Sequence, residues 1–329
     1  RRLRRGGSGL GRDRRATGVS EAPDLDLLRD ALSSSVLSHA LKLIGDRWTM
    51  QILMGAFTGV KRFDDFQTRL NIPRRTLSDR LRALVAMDML RPRLYQERPE
   101  RYAYHLTRKG MAIYEATLMT WDWEHRFGEN RIALPSRLIH KTCGHRFLPQ
   151  LVCEHCGEPA TMHELELRLK PNPHLPHDTG GPDRAPKVTV KDGAMSHLAL
   201  RLDRWSLMIV AAQVLGCRHF DQMAYVLRIS APLLSRRLAA MVEAGLLTVE
   251  QDREDGRRRV YLLTPASRAL FPYITLLSTW ASEQLFHEPS SIRPYHKSCG
   301  KPFVPRATCG HCHQRLQAWD VTFETGQGT

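Results

Sequence analysis

A chain of 329 residues, 42% hydrophobic and 25% charged, is long enough for two domains, each with its own core. Its net charge of +15 points to nucleic acid or another anionic partner; residues 1–15, with seven Arg and one Asp, supply six of those charges, and the rest of the chain is still basic. The longest apolar run, Leu207–Cys217, is too short for a membrane span, and the Arg-rich start does not read as a signal peptide.

Residues 1–33 are expected to form a disordered, Arg-rich tail, although helical periodicity begins near Leu25. It strengthens from Val36 through Phe57, where Leu37, Leu41, Ile44, Trp48, Ile52 and Leu53 share one face. Two short helices should follow, Phe63–Leu70 and Arg74 to about Met87, joined by the turn Asn71-Ile72-Pro73. Pro73 suits the first turn of the second helix. This is a helix-turn-helix pattern. Strands at about Met89–Gln96 and Arg101–Leu106 make a hairpin wing, and a final helix runs from about Arg108 to Phe127. A Cys/His segment and a strand near Glu164–Leu169 close the unit.

The same order then returns. Asp46-Arg47-Trp48 recurs as Asp203-Arg204-Trp205, Ile72 as Ile229, Leu77-Ser78 as Leu234-Ser235, and Tyr104 with Thr107 as Tyr261 with Thr264, all at an offset of 157. So long a period means tandem domains rather than a stacked solenoid. The expected division is a tail (1–33), a winged helix-turn-helix domain (34–134), a zinc-ribbon-like module (135–169), a Pro/Gly-rich linker (170–195), a second winged domain (196–290) and a second module (291–329). The fold class is mainly α with small β-hairpin wings (α+β).

The first unit resembles the HxlR-type winged helix-turn-helix transcriptional regulators of bacteria. The residues that carry the resemblance are Leu43-Ile44-Gly45-Asp46-Arg47-Trp48, Arg62-Phe63, Ile72-Pro73-Arg74 with Leu77-Ser78 and Arg80-Leu81, and the wing from Arg93 through Tyr95, Pro99 and Arg101 to Tyr104, Thr107 and Gly110. The second unit is a diverged copy whose wing, Asp252–Arg259, lacks the Tyr and Pro. Ser33-Ser34-Ser35 stands where oxidant-sensing members carry a cysteine. The resemblance implies a bacterial regulator that binds double-stranded DNA at the nucleoid; cysteines spaced for metal rather than disulfides point to a reducing cytoplasm, and no enzyme is expected. It implies no particular effector. The alternative is an interaction or scaffold protein in which only the first domain binds DNA and the second mediates oligomerisation or sensing.

In a helix-turn-helix the second helix enters the major groove. Turning 100° per residue from Leu77 places Arg75, Thr76 and Arg82 opposite the buried face, with Arg74 and Ser78 at its flanks. Arg75 and Thr76 are expected to read bases, since Arg forks onto guanine and Thr meets a thymine methyl. Arg82 is expected on phosphate, as are Arg98 and Arg101 in the first wing and Arg257 and Arg258 in the second. The second recognition helix offers Arg236 among less polar neighbours. The chain should work either as a homodimer or as an intramolecular pseudo-dimer, because a flexible linker of this length spans roughly 28 Å against about 34 Å between adjacent half-sites.

Six of the seven cysteines fall in two copies of H-x2-C-x9-C-x2-C: His140, Cys143, Cys153 and Cys156, then His296, Cys299, Cys309 and Cys312. Thiolate and imidazole in two close pairs suit tetrahedral zinc, so one structural zinc per copy is expected. Vestigial, unmetallated cysteines are the competing reading. His145, His155, His311 and His313 are alternative ligands. Four protein ligands leave no open position for catalysis. Cys217 reads as core; the methionines Met50, Met54, Met87 and Met89 read as core filler or as the lining of an effector pocket.

Overall fold

The apolar run from Val36 to Phe57 does not fold as one helix. In the computed structural model, which describes residues 23–128, 137–178 and 202–324, it forms α2 (Val36–Ile44) and α3 (Arg47–Phe57). Asp46 between them takes an extended conformation and caps α3, its Oδ1 accepting from the backbone N–H groups of Trp48 and Thr49 at 3.1 Å each. A carboxylate there satisfies donors that a helix start leaves unpaired, so capping chemistry overrides the periodicity. Gly45 is needed beside it because a Cβ would lie 2.3 Å from the Leu41 carbonyl oxygen. Asp203 caps α8 (Arg204–Val214) in the same way. Of the second winged domain expected from Ser196, residues 196–201 lie outside the described residues.

The tail expected over 1–33 ends in a helix instead. Asp24 caps α1 (Leu25–Ser33), whose Leu28 and Leu32 are buried; residues 1–22 lie outside the described residues. Thus a cap and a short apolar stripe outweigh the basic composition just upstream.

Each copy then builds the expected winged unit. In the first, α4 (Phe63–Leu70) and α5 (Arg74–Ala86) flank a turn in which Asn71 is left-handed at φ 49°. The hairpin β1 (Leu90–Gln96) and β2 (Arg101–Leu106) follows, then α6 (Arg108–Ala112) and α7 (Tyr114–Phe127), separated at Ile113 where one helix was expected. In the second, α9 (Phe220–Leu227) and α10 (Ala231–Glu243) flank Arg228 at φ 51°. They are followed by β7 (Leu247–Gln251), β8 (Arg259–Leu263), α11 (Pro265–Arg268) and α12 (Phe271–Ala281). Among the described residues, no helix is long and apolar enough to cross a membrane.

The two Cys/His segments are not separate modules. The first supplies β3 (Arg137–His140), β4 (Arg146–Phe147), β5 (Pro149–Cys153) and β6 (Leu165–Leu169); the second supplies β9 (Ile292–His296), β10 (Pro305–Cys309) and β11 (Val321–Glu324). The pairing crosses between copies: β5 with β10, β3 with β11 and β6 with β9, all antiparallel. Leu151 faces its own repeat counterpart, Ala307, at the centre of β5–β10. A strand this short is marginal alone and gains a partner by pairing across the repeat.

The helices repeat the exchange. α7 packs on α12, where the Trp123 indole donates to the Ala266 carbonyl at 2.6 Å and the Trp280 indole donates to the Lys109 carbonyl at 3.3 Å. Those are one contact seen twice, since each residue is the repeat counterpart of the other pair's member. Lys141 Nζ to the Trp319 carbonyl and Lys297 Nζ to the His163 carbonyl, both 2.7 Å, repeat the relation. Reciprocity of this kind is the signature of an isologous dimer interface, here inside one polypeptide. α1 also crosses over to pack on α9, with Tyr225 Oη donating to Asp26 at 2.5 Å.

The segment expected to be a linker over 170–195 is anchored through residue 178. Buried Asp178 accepts from Ser38 Oγ at 2.6 Å and pairs with Lys42 Nζ at 2.5 Å and with Arg204. One carboxylate therefore ties α2 of the first copy to the start of α8 in the second. Residues 179–195 lie outside the described residues.

Candidate nucleic-acid interface and metal centres

Four tight turns carry the metal-type ligands. In each, the first ligand ends a strand, the second follows three residues later, and the next residue is left-handed: Gly144, Gly157, Gly300 and, in the fourth, His313 at φ 60°. Backbone bonds close the turns, as from Gly144 N to the His140 carbonyl at 2.8 Å and from Gly157 N to the Cys153 carbonyl at 2.8 Å.

The turns combine across the repeat. His140 and Cys143 meet Cys309 and Cys312, while Cys153 and Cys156 meet His296 and Cys299, with all donor atoms in each group within 4.8 Å of one another. The four residues of one copy were expected to share an ion; the crossed pairing of β5 with β10 carries each Cys-x2-Cys turn to the other copy's His-x2-Cys turn instead. Spacing along the chain fixes which residues form a turn but not which turn it faces.

The donors fit a tetrahedral ion. Bond lengths of about 2.3 Å to sulfur and 2.0–2.1 Å to nitrogen put neighbouring ligands about 3.6 Å apart. His140 Nδ1 lies 3.2 Å from Cys312 Sγ, and His296 Nδ1 lies 3.2 Å from Cys156 Sγ and 3.6 Å from Cys299 Sγ. Both rings are buried, at 1% and 0% exposure, so each imidazole is fixed with Nδ1 toward the thiols. The Lys301 backbone N–H, with His296 beside it, draws the Cys299 thiol down to about 7. The Gln314 backbone N–H lowers Cys312 in the same direction, while the neighbouring Cys309 is raised by burial and Cys156 is also raised. Thiolate is the form that binds metal, and three sulfurs with one imidazole suit a borderline-soft ion rather than magnesium or calcium.

The alternative ligands His145, His155, His311 and His313 are exposed. His145 and His311 stack at 3.7 Å between ring centroids, beside Cys143. Cys217, fully buried, has its thiol pushed up to about 11 by burial, as befits a core residue. Met50 and Met89 are buried, and Met54 and Met87 pack against the core half-buried.

Of the residues that the helical wheel puts outward on α5, the arginines are exposed and Thr76 is less so. Leu77, Leu81 and Leu84 are buried on α5, while Arg74, Arg75 and Arg82 are exposed and Thr76 and Ser78 are half-buried. Arg74 stacks over Phe63 with its guanidinium carbon 5.2 Å from the ring centre, and Arg82 pairs with Asp79. Arg236 is exposed on α10.

Arg98 and Arg257 are exposed at the wing tips. The other two wing arginines are already engaged. Arg101 meets Asp64 of α4 at 3.2 Å, and Arg258 makes a two-pronged contact with Asp221 of α9 at 2.7 Å. These pairs are repeat counterparts and buttress each wing against its own unit.

Two further ion pairs lie outside what the sequence pattern predicts. Arg80 reaches Asp46 at 3.3 Å and Arg237 reaches Asp203 at 3.2 Å, so the cap of α3 or α8 also holds the following recognition helix. The signal was present: both members of each pair recur at the 157-residue offset.

The family model for HxlR-like helix-turn-helix proteins matches residues 43–132 and again 202–289. Uncharacterized HTH-type transcriptional regulators of Mycobacterium tuberculosis and Mycobacterium bovis are each 41% identical to this chain over 125 residues, 38% of this chain and 79% of theirs. A solved structure of a candidate transcription factor from Pseudomonas aeruginosa is similar at 24% identity and a TM-score of 0.31, over 43% of this chain and 94% of that one.

Proposed function

This chain belongs to the HxlR-like helix-turn-helix family, and we infer from that how, as a DNA-binding transcriptional regulator, it meets its target. α5 and α10 lie in successive major grooves of one duplex, and the two copies in one chain take the place of a homodimer's two protomers. Arg75 and Thr76 read base edges, with Arg74, Ser78 and Arg82 at the groove margin. Arg98 and Arg257 grip the phosphate backbone beside it, while Arg101 and Arg258 brace the wings and reach phosphate only by sharing their carboxylate partners.

The observation that carries this reading is the exposed Arg74-Arg75 pair at the start of a helix whose inward Arg80 is held by the Asp46 cap. Exposed guanidiniums at the start of that helix suit the end of a recognition helix that meets bases. Arg236, amid Pro232 and Leu233, has fewer donor neighbours. Arg75→Ala is expected to weaken specific binding by about 1–3 kcal/mol and to relax sequence preference at one position; Arg236→Ala should cost less. Fluorescence anisotropy against a selected operator and a scrambled duplex checks both, and equal losses would contradict the ranking.

The apolar start of α10 favours a second reading, in which the second unit mainly completes the assembly and one recognition helix does the reading. Losing Arg236 and Arg257 together would then leave specific affinity unchanged.

Zinc is the ion proposed for both Cys3His sites, with His140, Cys143, Cys309 and Cys312 holding one and Cys153, Cys156, His296 and Cys299 the other. Bound there, it supplies a structural cross-link rather than a reaction centre, because four protein donors close its coordination. The proposed setting is the bacterial cytoplasm, at the nucleoid.

A further inference from the structure

Two cavities occupy equivalent places in the two copies but differ about tenfold in volume. The first encloses about 40 Å³ and the second about 450 Å³. Every described residue lining the first has its repeat counterpart lining the second. What differs is side-chain size. Met54, Phe57, Trp121 and Phe323 fill the first, whereas Ala211, Val214, Ser278 and Leu167 stand at those positions in the second. In the first copy the Phe57 ring packs on Tyr114 at 5.0 Å and Trp121 is 6% exposed, so two aromatic rings occupy the space that the second copy leaves open.

We propose that the larger cavity binds a flat, mostly apolar aromatic small molecule carrying a hydrogen-bonding group. Its volume falls in the range of about 300–1,000 Å³ typical of small-molecule sites. The first copy shows what this framework accommodates there: an indole and a phenyl ring from its own sequence. The walls suit such a guest, with Phe271, Phe303 and Ile274 as apolar surface and the Ser278 and Thr279 hydroxyls among the polar groups. Ser278 replaces Trp121, so a polar contact stands where the missing indole would be. Leu37 of α2 also lines the site, which places the guest between the first copy and the second.

Titration of the full chain with indole and with 2-naphthol, followed by calorimetry or ligand-observed NMR, tests the site. Saturable binding of one molecule per chain is expected. Ala211→Met and Ser278→Trp each install the first copy's side chain and should weaken that binding at least tenfold. Should Ser278→Trp not fold, Ala211→Met and Val214→Phe make the same comparison with smaller changes in volume. Absence of saturable binding to the wild type, or affinity unchanged in the filled variants, would overturn the proposal. Because binding is read on the protein alone, that failure would leave the DNA-reading assignment untouched.

Discussion

Stripping both Cys3His sites with a strong chelator under reducing conditions is expected to lower the thermal midpoint by at least about 10 °C, and restoring zinc should recover it. Structural zinc is worth about 10–16 kcal/mol of apparent binding energy in small domains that fold around it. Even a fraction of that is large, since each kcal/mol moves the midpoint of a chain of about 150–250 residues by about 2–4 °C. The effect should be global here. Each site joins a turn of the first copy to a turn of the second, directly beside the β5–β10 pairing and the α7–α12 contact. Without the ion, three sulfurs and an imidazole are left facing one another with nothing to bridge them. Circular dichroism melts of stripped, reconstituted and untreated protein measure this; superimposable melts would mean that the clusters hold no structural ion.

Trp280→Ala should destabilise the chain by about 3–5 kcal/mol, the usual range for deleting a buried large aromatic side chain, and Trp123→Ala should do nearly the same. Both indoles are buried, at 4% and 3% exposure, and each donates across the repeat to a backbone carbonyl. Truncation opens a cavity in the α7–α12 contact and leaves that carbonyl without its donor. Trp280→Phe keeps most of the packing and loses the N–H, so about 1 kcal/mol of its cost comes from the hydrogen bond. Urea unfolding curves for the three variants give these values. A large loss for one tryptophan and none for the other would mean that the two halves of the interface are not equivalent.

The winged units were legible because their signals are local. Apolar spacing marks α4 and α5, turn residues at 71–73 and 228–230 separate the paired helices, and the polar loop between β1 and β2 marks the wing. The break at Gly45-Asp46 was legible only in part: Asp46 recurs as Asp203, but its capping role competes with an apolar stripe that runs through it. The crossed metal sites were beyond the sequence for a different reason. H-x2-C-x9-C-x2-C is satisfied equally by ligands within a copy and by ligands exchanged between copies, and only the strand pairing chooses. The unequal cavities follow from substitutions such as Trp121 against Ser278, which read as ordinary divergence until both positions are seen to line the same space.

Zinc content of two double variants distinguishes exchanged ligands from self-contained modules most directly. Cys143→Ser with Cys309→Ser removes two ligands from one exchanged site and leaves Cys153, Cys156, His296 and Cys299 complete, so about one zinc per chain should remain. Cys143→Ser with Cys153→Ser takes one ligand from each site, and tightly held zinc should fall well below that. If the second variant instead retains one full equivalent while the first loses both, each copy holds its own ion and the intertwined arrangement is wrong.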